Sequence, residues 1–133
     1  PQQVFIDETD ISNNVTLDSA TGNVTILAAG TYNCQFSAQI ANFGNDFEDT
    51  AIWFKVNGNA VPSSASYATT VAIHGGTPGA VIMTVNIFYT FAANDILALE
   101  WVSIGGTTAI TSISPAGTIP LSPGIIFTVN RVY

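Results

Sequence analysis

The stretch TYNCQFSAQI, residues 31–40, alternates between apolar and polar side chains with a period of two. Successive side chains of an extended strand point to opposite faces of a sheet, so this pattern predicts a β-strand with one buried face. The residues predicted to face the core are apolar: Tyr32, Cys34, Phe36, Ala38 and Ile40. The residues of the opposite face are polar but carry no charge: Thr31, Asn33, Gln35, Ser37 and Gln39. An uncharged face is unusual for a surface that meets only water, which raises the question of what it contacts.

The rest of the chain has the same β character. Runs of β-branched and aromatic residues alternate with Gly, Pro, Asn and Asp, and no segment has convincing helical periodicity. Eight strands are predicted, at residues 4–6, 24–27, 31–40, 51–56, 66–73, 80–91, 96–104 and 124–133. The Gly- and Pro-rich stretch 114–124 is expected to be a loop before the last strand. Strands separated by regular turn signals predict an all-β antiparallel sandwich or barrel, and the length fits one domain, residues 1–133.

The charge content excludes several classes of partner. Charged residues make up 8% of the chain, against about 25% in an average globular protein. Nine acids and two basic residues give a net charge of −7. Phosphate binding needs clustered Lys and Arg, so we expect no nucleic-acid partner. The longest apolar runs are far shorter than the roughly 20 residues that span a bilayer, so we expect no membrane insertion.

The residues that carry enzyme chemistry are sparse. The one His, His74, lies in HGGTPG with no acid beside it, which favours a surface loop over a catalytic base. The one Cys, Cys34, excludes an internal disulfide and lies in the apolar phase of its strand, so we expect a buried thiol. The sequence contains no Gly-rich phosphate loop, CxxC pair or His-rich metal set. We therefore expect a protein that is not an enzyme and that has no cofactor.

Acidic residues are concentrated in two clusters. In NFGNDFEDT, Asp46, Glu48 and Asp49 could surround a Ca²⁺ ion with help from Asn42 and Asn45. The spacing matches no standard calcium loop, so a solvated loop is the favoured interpretation and a cation site the alternative. The other cluster is expected to be an exposed N-terminal segment or a contact to an underlying lattice, and it consists of Asp7, Glu8 and Asp10.

Four segments, in this order, resemble the jelly roll of the tumour necrosis factor and complement globular-head superfamily. They are TGNVTILAAGTYNCQFSAQI, WFKVNGNAVPSS, FAANDILALEWVS and PGIIFTVNRVY, which together extend over nearly the whole chain. In the first, Gly30 and Tyr32 stand where a Gly and an aromatic residue lead into the long central strand of the family. The resemblance is closest to charge-poor jelly rolls on virus particles, especially phage, and to the heads of spore-surface glycoproteins. It implies a TNF-like jelly-roll sandwich of about eight to ten strands.

The resemblance also implies a homotrimer, in which the sheet that holds the central and C-terminal strands faces a threefold axis. A charge on that face would be repeated three times close to the axis, where repulsion is costly, whereas amides and hydroxyls can pair with their symmetry copies. The alternative is that these are ordinary solvated faces of a monomer. The predicted interface consists of Asn33, Gln35, Ser37 and Gln39, of Ile82, Thr84, Asn86 and Phe88, and of Ile126, Thr128, Asn130 and Val132.

The function that the resemblance implies is structural: a trimeric capsid decoration, cement or head-appendage subunit on the virion surface, with the viral coat protein as its partner. The first alternative is the receptor-binding head of a tail fibre or spike, which would bind host glycans. Trp53 is its candidate ligand-binding residue because it lies in the outward phase of Ala51 and Lys55, although burial under a loop or a neighbouring subunit is also open. Trp101 shares the phase of Leu97 and is expected in the core. The second alternative is the head domain of a spore-surface glycoprotein.

Overall fold

The computed structural model describes residues 1–9 and 12–133, and this part of the chain consists of strands, turns and loops without a helix. Eleven strands follow one another along the described residues. Their bounds are β1 (Gln2–Gln3), β2 (Val15–Asp18), β3 (Asn23–Ile26), β4 (Gly30–Asn42), β5 (Glu48–Val56), β6 (Asn59–Ala60), β7 (Ser66–Thr70), β8 (Gly79–Phe91), β9 (Ile96–Ser103), β10 (Thr108–Ile110) and β11 (Ile125–Arg131).

The strands form two antiparallel sheets. Sheet A has the order β2-β3-β9-β5, with β6 and β7 along the far edge of β5 and β1 beside part of β9. Sheet B is built around β4, which pairs with β8 along all thirteen of its residues. The other edge of β4 pairs with β11 over residues 32–38 and with β10 over residues 40–42. Strand β4 is therefore the centre of a narrow sheet that is three strands wide.

The strand pairs are nested along the chain. Strand β5 pairs with β7, β4 pairs with β8, and β3 pairs with β9, so each pair encloses the previous one in sequence. The chain also crosses from one sheet to the other between β3 and β4, β4 and β5, β7 and β8, β8 and β9, and β9 and β10. The prediction of an all-β, antiparallel, two-sheet sandwich is confirmed.

The core lies between the two sheets and follows the period-two pattern of the sequence. All five residues of the apolar phase in 31–40 are buried, as are the alternate residues of β5. The ring of Phe54 on sheet A lies 5.5 Å from that of Phe36 and 5.9 Å from that of Phe127, both on sheet B, measured between ring centroids. Side chains of β8 and β11 that face the core are mostly half-buried, because these strands lie at the edges of sheet B.

The entry into β4 explains the glycine at position 30. The backbone carbonyl of Tyr133 and the guanidinium of Arg131 occupy the space that a Cβ at Gly30 would need. Backbone bonds from Val132 and Tyr133 to the carbonyl of Thr31 hold the C-terminus in this place. A residue with a side chain would force the last strand away from β4.

Several predicted boundaries were wrong. Residues 4–6 are not a strand, and the first strand, β1, is Gln2–Gln3. The last backbone bond to β9 is from the Val4 amide to the Leu99 carbonyl, and beyond Val4 the chain turns away from β9. The predicted strand 66–73 ends at Thr70, because the Ile73 amide turns to the Gly44 carbonyl instead of continuing along β5. Four short strands, β1, β2, β6 and β10, were not predicted.

Candidate protein-contact face

The outward-facing side of sheet B forms one continuous surface, called here the outer face. The pairing register places its residues in rows across β8, β4 and β11. All twelve residues of the predicted interface lie on it, in the rows Ile82–Gln39, Thr84–Ser37–Ile126, Asn86–Gln35–Thr128 and Phe88–Asn33–Asn130, followed by Val132. Their alternate neighbours on β4 are buried in the core, so these side chains point away from it.

Large apolar side chains stand on the outer face among amides and hydroxyls. Ile82, Phe88 and Ile126 are 57%, 66% and 55% exposed. The row Asn86–Gln35–Thr128 lies between the row of Phe88 and the row of Ile126, and it is wholly polar. The exposed apolar side chains of the outer face are therefore separated from one another by polar groups.

The amides of the outer face differ in how they are occupied. The Gln39 Nε2 atom donates to Ser122 Oγ and to the Pro123 carbonyl, each at 2.7 Å. Thr31 Oγ1 lies 2.9 Å from Thr90 Oγ1 at the other end of the face. The side-chain amides of the middle rows have no hydrogen-bond partner in the part of the chain that the structure describes. They belong to Asn33, Gln35, Asn86 and Asn130. These groups are free to bond to a partner.

Charge is distributed unequally between the two sheets. No acidic residue falls within β4, β8, β10 or β11, whereas sheet A and its loops carry Asp18, Glu48, Asp49 and Glu100. The one charged residue of sheet B is Arg131, at the last position of β11. Its guanidinium donates to the carbonyls of Tyr133 and Ala29, so it is fixed at one end of the sheet. The outer face is therefore uncharged over nearly its whole length.

The outer face has the size of a protein interface. Three strands about 4.8 Å apart, along the thirteen residues of β4 at about 3.3 Å each, cover roughly 600 Å². A standard protein–protein contact buries about 800 Å² on each partner. The face could therefore supply most of one stable contact.

Asn42 organises the loops at one end of the sandwich. Its buried Nδ2 atom donates to the carbonyl of Asp46 at 2.8 Å and to those of Val71 and Thr70 at 3.1 and 3.3 Å. Its Oδ1 atom accepts from the Gly44 amide at 2.8 Å and from Thr107 Oγ1 at 2.9 Å. One amide thus connects the ends of β4 and β7 with the loop after β9.

The three acids of residues 46–49 do not converge on one point. Glu48 is buried and accepts hydrogen bonds from the Gly105 amide, Ser103 Oγ and Thr107 Oγ1. Asp49 points outward and accepts from Thr69 Oγ1 at 2.6 Å. Hydrogen bonds from Thr69 and then from Tyr67 lower the pKa of the Asp49 carboxyl. No group of three or more potential metal ligands occurs among residues 1–9 and 12–133.

An open cleft of about 570 Å³ lies beside these acids. It is lined by Phe47, Glu48, Asp49, Thr69, Ile104 and Gly105. The side chains of Phe47 and Ile104 are largely exposed at its edge. The cleft combines carboxylate oxygens with apolar surface, which suits a ligand that carries hydroxyl or ammonium groups.

Trp53 lies on the opposite side of the molecule from the outer face. It is half-buried on the outward side of sheet A, directly across from Glu100 on β9. Lys55 beside it forms an ion pair with Glu100 at 3.0 Å. Trp53 is not among the residues that line the cleft. A ligand on Trp53 would therefore meet a separate, charged surface.

The remaining candidate residues lie where the sequence predicted them. His74 is exposed in a turn that its backbone closes with Thr77, and Trp101 is buried. Cys34 is buried, and burial raises the pKa of its thiol to about 12, so it stays protonated and unreactive at neutral pH. Of the N-terminal acids, Asp7 and Glu8 are exposed. Asp10 lies outside the described residues.

Comparisons with known proteins leave the family open. A scan against protein-family models and a search of curated proteins both found no match. In the described residues, no helix has the length and apolar character that a membrane span requires.

Proposed function

We propose that this chain is a jelly-roll subunit that forms a homotrimer through the outer face of sheet B. The observation that carries the proposal is the absence of charge from this face, on which Ile82, Phe88 and Ile126 stand exposed. Copies of a chain with net charge −7 repel one another, and this repulsion is weakest where the facing surfaces carry no acids. Self-association through the outer face removes apolar surface from water without bringing acids together.

The strand order supports the jelly-roll part of the proposal. Nested antiparallel pairs with repeated crossings between two sheets are what a folded-over hairpin of strands produces. The C-terminal β11 lies beside the long β4, as the resemblance to the tumour necrosis factor superfamily implies for the sheet that faces the axis. One feature departs from a fully nested arrangement, since the N-terminal β1 pairs with β9 in sheet A and not with β11.

The polar rows give the proposed trimer its register. Asn33, Gln35, Asn86 and Asn130 each carry both donors and acceptors, so symmetry-related copies can bond to one another. A sliding movement along the strands would bring Ile82 or Phe88 against these amides and leave hydrogen-bonding groups unpaired, which is costly in a buried interface. The alternation of apolar and polar rows therefore favours one alignment of the three copies.

The role of the trimer, in this proposal, is that of a capsid decoration, cement or head-appendage protein on a virus particle. With the outer faces against the axis, the acidic sides of sheet A point outward, and the trimer carries three times −7, or −21. This charge keeps free trimers apart in solution. A threefold plug could contact several coat subunits at once at a position of local threefold symmetry and so add buried area to the shell.

The test of this role is to locate the protein on intact particles. Gold-labelled antibody against the purified chain is applied to virions and followed by electron microscopy. Label at regularly spaced positions over the capsid, or at a head appendage, is expected. Label confined to the tips of tail fibres would contradict the decoration role and favour receptor binding.

A second candidate function is the receptor-binding head of a fibre or spike. The specific observation in its favour is the cleft beside Phe47 and Ile104, because exposed apolar surface next to carboxylates can contact the faces and hydroxyl groups of a sugar. A glycan array is probed with the wild type, with Phe47→Ala and with Trp53→Ala. Loss of binding in Phe47→Ala would place the ligand in the cleft, and loss in Trp53→Ala would place it on sheet A. The absence of any bound glycan in the wild type would contradict this function.

A further inference from the structure

The segment between β10 and β11 forms a projecting hairpin, residues 112–123, called here the arm. Ile113 and Ser122 exchange two backbone hydrogen bonds of 2.8 and 3.0 Å, and Ala116 and Ile119 exchange two more of 3.1 and 3.0 Å. The hairpin closes at Gly117, whose φ of 62° suits the two-residue turn. The sequence predicted a loop here, so the arm is more ordered than expected.

The arm exposes three large apolar side chains. Ile113, Ile119 and Leu121 are 57%, 65% and 56% exposed, and none packs against the core. The chain carries no charged residue from 101 to 130, so the whole arm is uncharged. A two-stranded hairpin without a packed face is marginally stable in water, because its few bonds hardly offset the entropy of ordering it. A surface that covers these side chains would therefore stabilise the arm.

The position of the arm is fixed by Gln39. Both ends of the arm are hydrogen-bonded to the backbone of Gln39 on β4. Before the arm, the Thr111 amide donates to the Gln39 carbonyl, and after it, the Gly124 carbonyl accepts from the Gln39 amide. The Gln39 side chain, on the outer face, donates to Ser122 Oγ and the Pro123 carbonyl. The base of the arm is thus tied to the same side of sheet B as the outer face. In that row, Ile82 lies at the opposite edge of the sheet, on β8.

Strand β8 pairs with β4 along one edge. Among the described residues, the second edge of β8 carries no paired strand, although the backbone of Val71 lies against its first residue, Gly79. The strand has no charged residue and no Pro, the usual features that keep an exposed edge from pairing. Like the arm, it presents uncharged surface, on which Ile82 and Phe88 alternate with polar residues.

We infer that the arm is a clasp that packs Ile113, Ile119 and Leu121 of one copy against Ile82 and the β8 edge of the next copy. This inference rests on the proposed homotrimer. The inference takes the threefold axis to be parallel to β4. Rotation about such an axis leaves height along the strands unchanged, so the arm of one copy would meet the neighbour at the level of Ile82. Each copy gives one arm and receives one, which closes a ring.

A second copy of this chain is the partner that fits both the arm and the β8 edge. Five residues on each side of the turn reach about 16 Å, far enough to cross to a neighbouring strand edge. The outer face alone, at roughly 600 Å², falls short of the about 800 Å² that a standard contact buries, and the arm adds area of the same uncharged kind. The acids of sheet A disfavour the approach of another copy through that sheet.

Disulfide cross-linking between copies tests the clasp. The variant carries Ile82→Cys and Ile119→Cys, and Cys34 stays buried and out of reach. Within one chain, two strand spacings of about 10 Å separate β8 from the base of the arm, so a disulfide within one copy would require the arm to fold back over its own β4 and would run as a single-chain band. On mild oxidation we expect covalent dimers and trimers on a non-reducing gel. The matched control, Ile96→Cys with Ile119→Cys, places the first thiol on sheet A and should give no ladder.

The outcomes separate the clasp from the trimer itself. If the wild type has the mass of three chains in solution and the 82/119 variant forms a ladder, the clasp is supported. If the wild type is a trimer but no ladder forms, the clasp is wrong and the homotrimer stands. If the wild type has the mass of one chain at every concentration, both proposals are wrong.

A second variant measures what the arm contributes. Ile113→Asn, Ile119→Asn and Leu121→Asn are combined, and the arm has no core contact to lose. We expect the trimer to dissociate at a concentration at least tenfold higher than the wild type, with far-UV circular dichroism unchanged. The control Ile96→Asn removes an exposed apolar side chain from sheet A and should leave dissociation unchanged. Equal dissociation of the triple variant and the wild type trimer would overturn the inference.

Discussion

At the scale of single residues, Asn42 makes the contacts that a loop-rich end of a sandwich needs. Its side chain bonds to backbone groups of Gly44, Asp46 and Val71 and to Thr107. Asn42→Ala leaves buried carbonyls and an amide without partners, so we expect the free energy of unfolding to fall by about 2–4 kcal/mol. Urea unfolding followed by Trp fluorescence measures the change.

The control for this prediction is Asn45→Ala in the same loop. Asn45 is exposed, so its removal should change the free energy of unfolding by less than about 0.5 kcal/mol. If both variants unfold at the same urea concentration, Asn42 does not have the role assigned to it.

Asp49 provides a pH prediction at the same scale. The hydrogen bonds from Thr69 and Tyr67 lower the pKa of Asp49 in the folded state. Their stabilising effect is therefore complete above the unfolded-state pKa of about 3.9 and is lost as pH falls through the lower, folded-state pKa. Thr69→Val removes the leading cause, so we expect the Asp49 carboxyl to titrate at higher pH in that variant, as followed by carbon NMR. Identical titration curves would contradict this account.

Residue roles could be predicted where the period of two continued. Asn42 is in phase with Tyr32 and Ile40, and Glu48 is in phase with Ile52, so extending the alternation would have placed both side chains in the interior. The sequence did not indicate their partners, because those lie in loops far along the chain. The cation alternative for Asp46, Glu48 and Asp49 depended on neighbours in sequence. In the strand that begins at Glu48, successive residues point to opposite sides, so such neighbours do not converge.

At the scale of elements, the long strands were predictable and the short ones were not. Strands β4, β8 and β9 can be predicted because each has clear alternation of apolar and polar residues or a long apolar run. Strands β1, β6 and β10 have two or three residues each and form because a neighbouring strand offers a free edge. The arm was missed for a similar reason, since its order comes from a turn at Gly117 and not from an apolar pattern.

The role of β8 leads to a prediction about Phe88. Phe88→Asp places a charge in the proposed interface, where the threefold axis would repeat it, so we expect the trimer to dissociate into single chains at micromolar concentration. The side chain points away from the core, so the fold should persist. Sedimentation velocity measures the mass, and circular dichroism checks the fold.

The matched control is Tyr67→Asp on β7. Tyr67 is 60% exposed, against 66% for Phe88, but it lies on the outward side of sheet A. This variant should sediment like the wild type. A Phe88→Asp protein that remains a trimer would show that the copies associate through a different surface.

At the scale of the whole molecule, the two sheets have different surfaces. The strands of sheet A include four acids, Asp18, Glu48, Asp49 and Glu100, whereas sheet B presents uncharged rows with exposed apolar side chains and the arm. The low charge content was evident from composition. Which face carries no charge, however, depends on which strands share a sheet. That pairing joins β4 with β8 and β11, strands far apart in sequence, and it turns three separate uncharged segments into one face.

The solution mass of the wild-type protein tests the central proposal most directly. Multi-angle light scattering is measured at micromolar concentration and again after tenfold dilution. The proposed interface predicts a mass of three chains, about 42 kDa, that survives dilution. A mass of one chain, 13.9 kDa, at both concentrations would contradict the assignment of the outer face as a contact between copies.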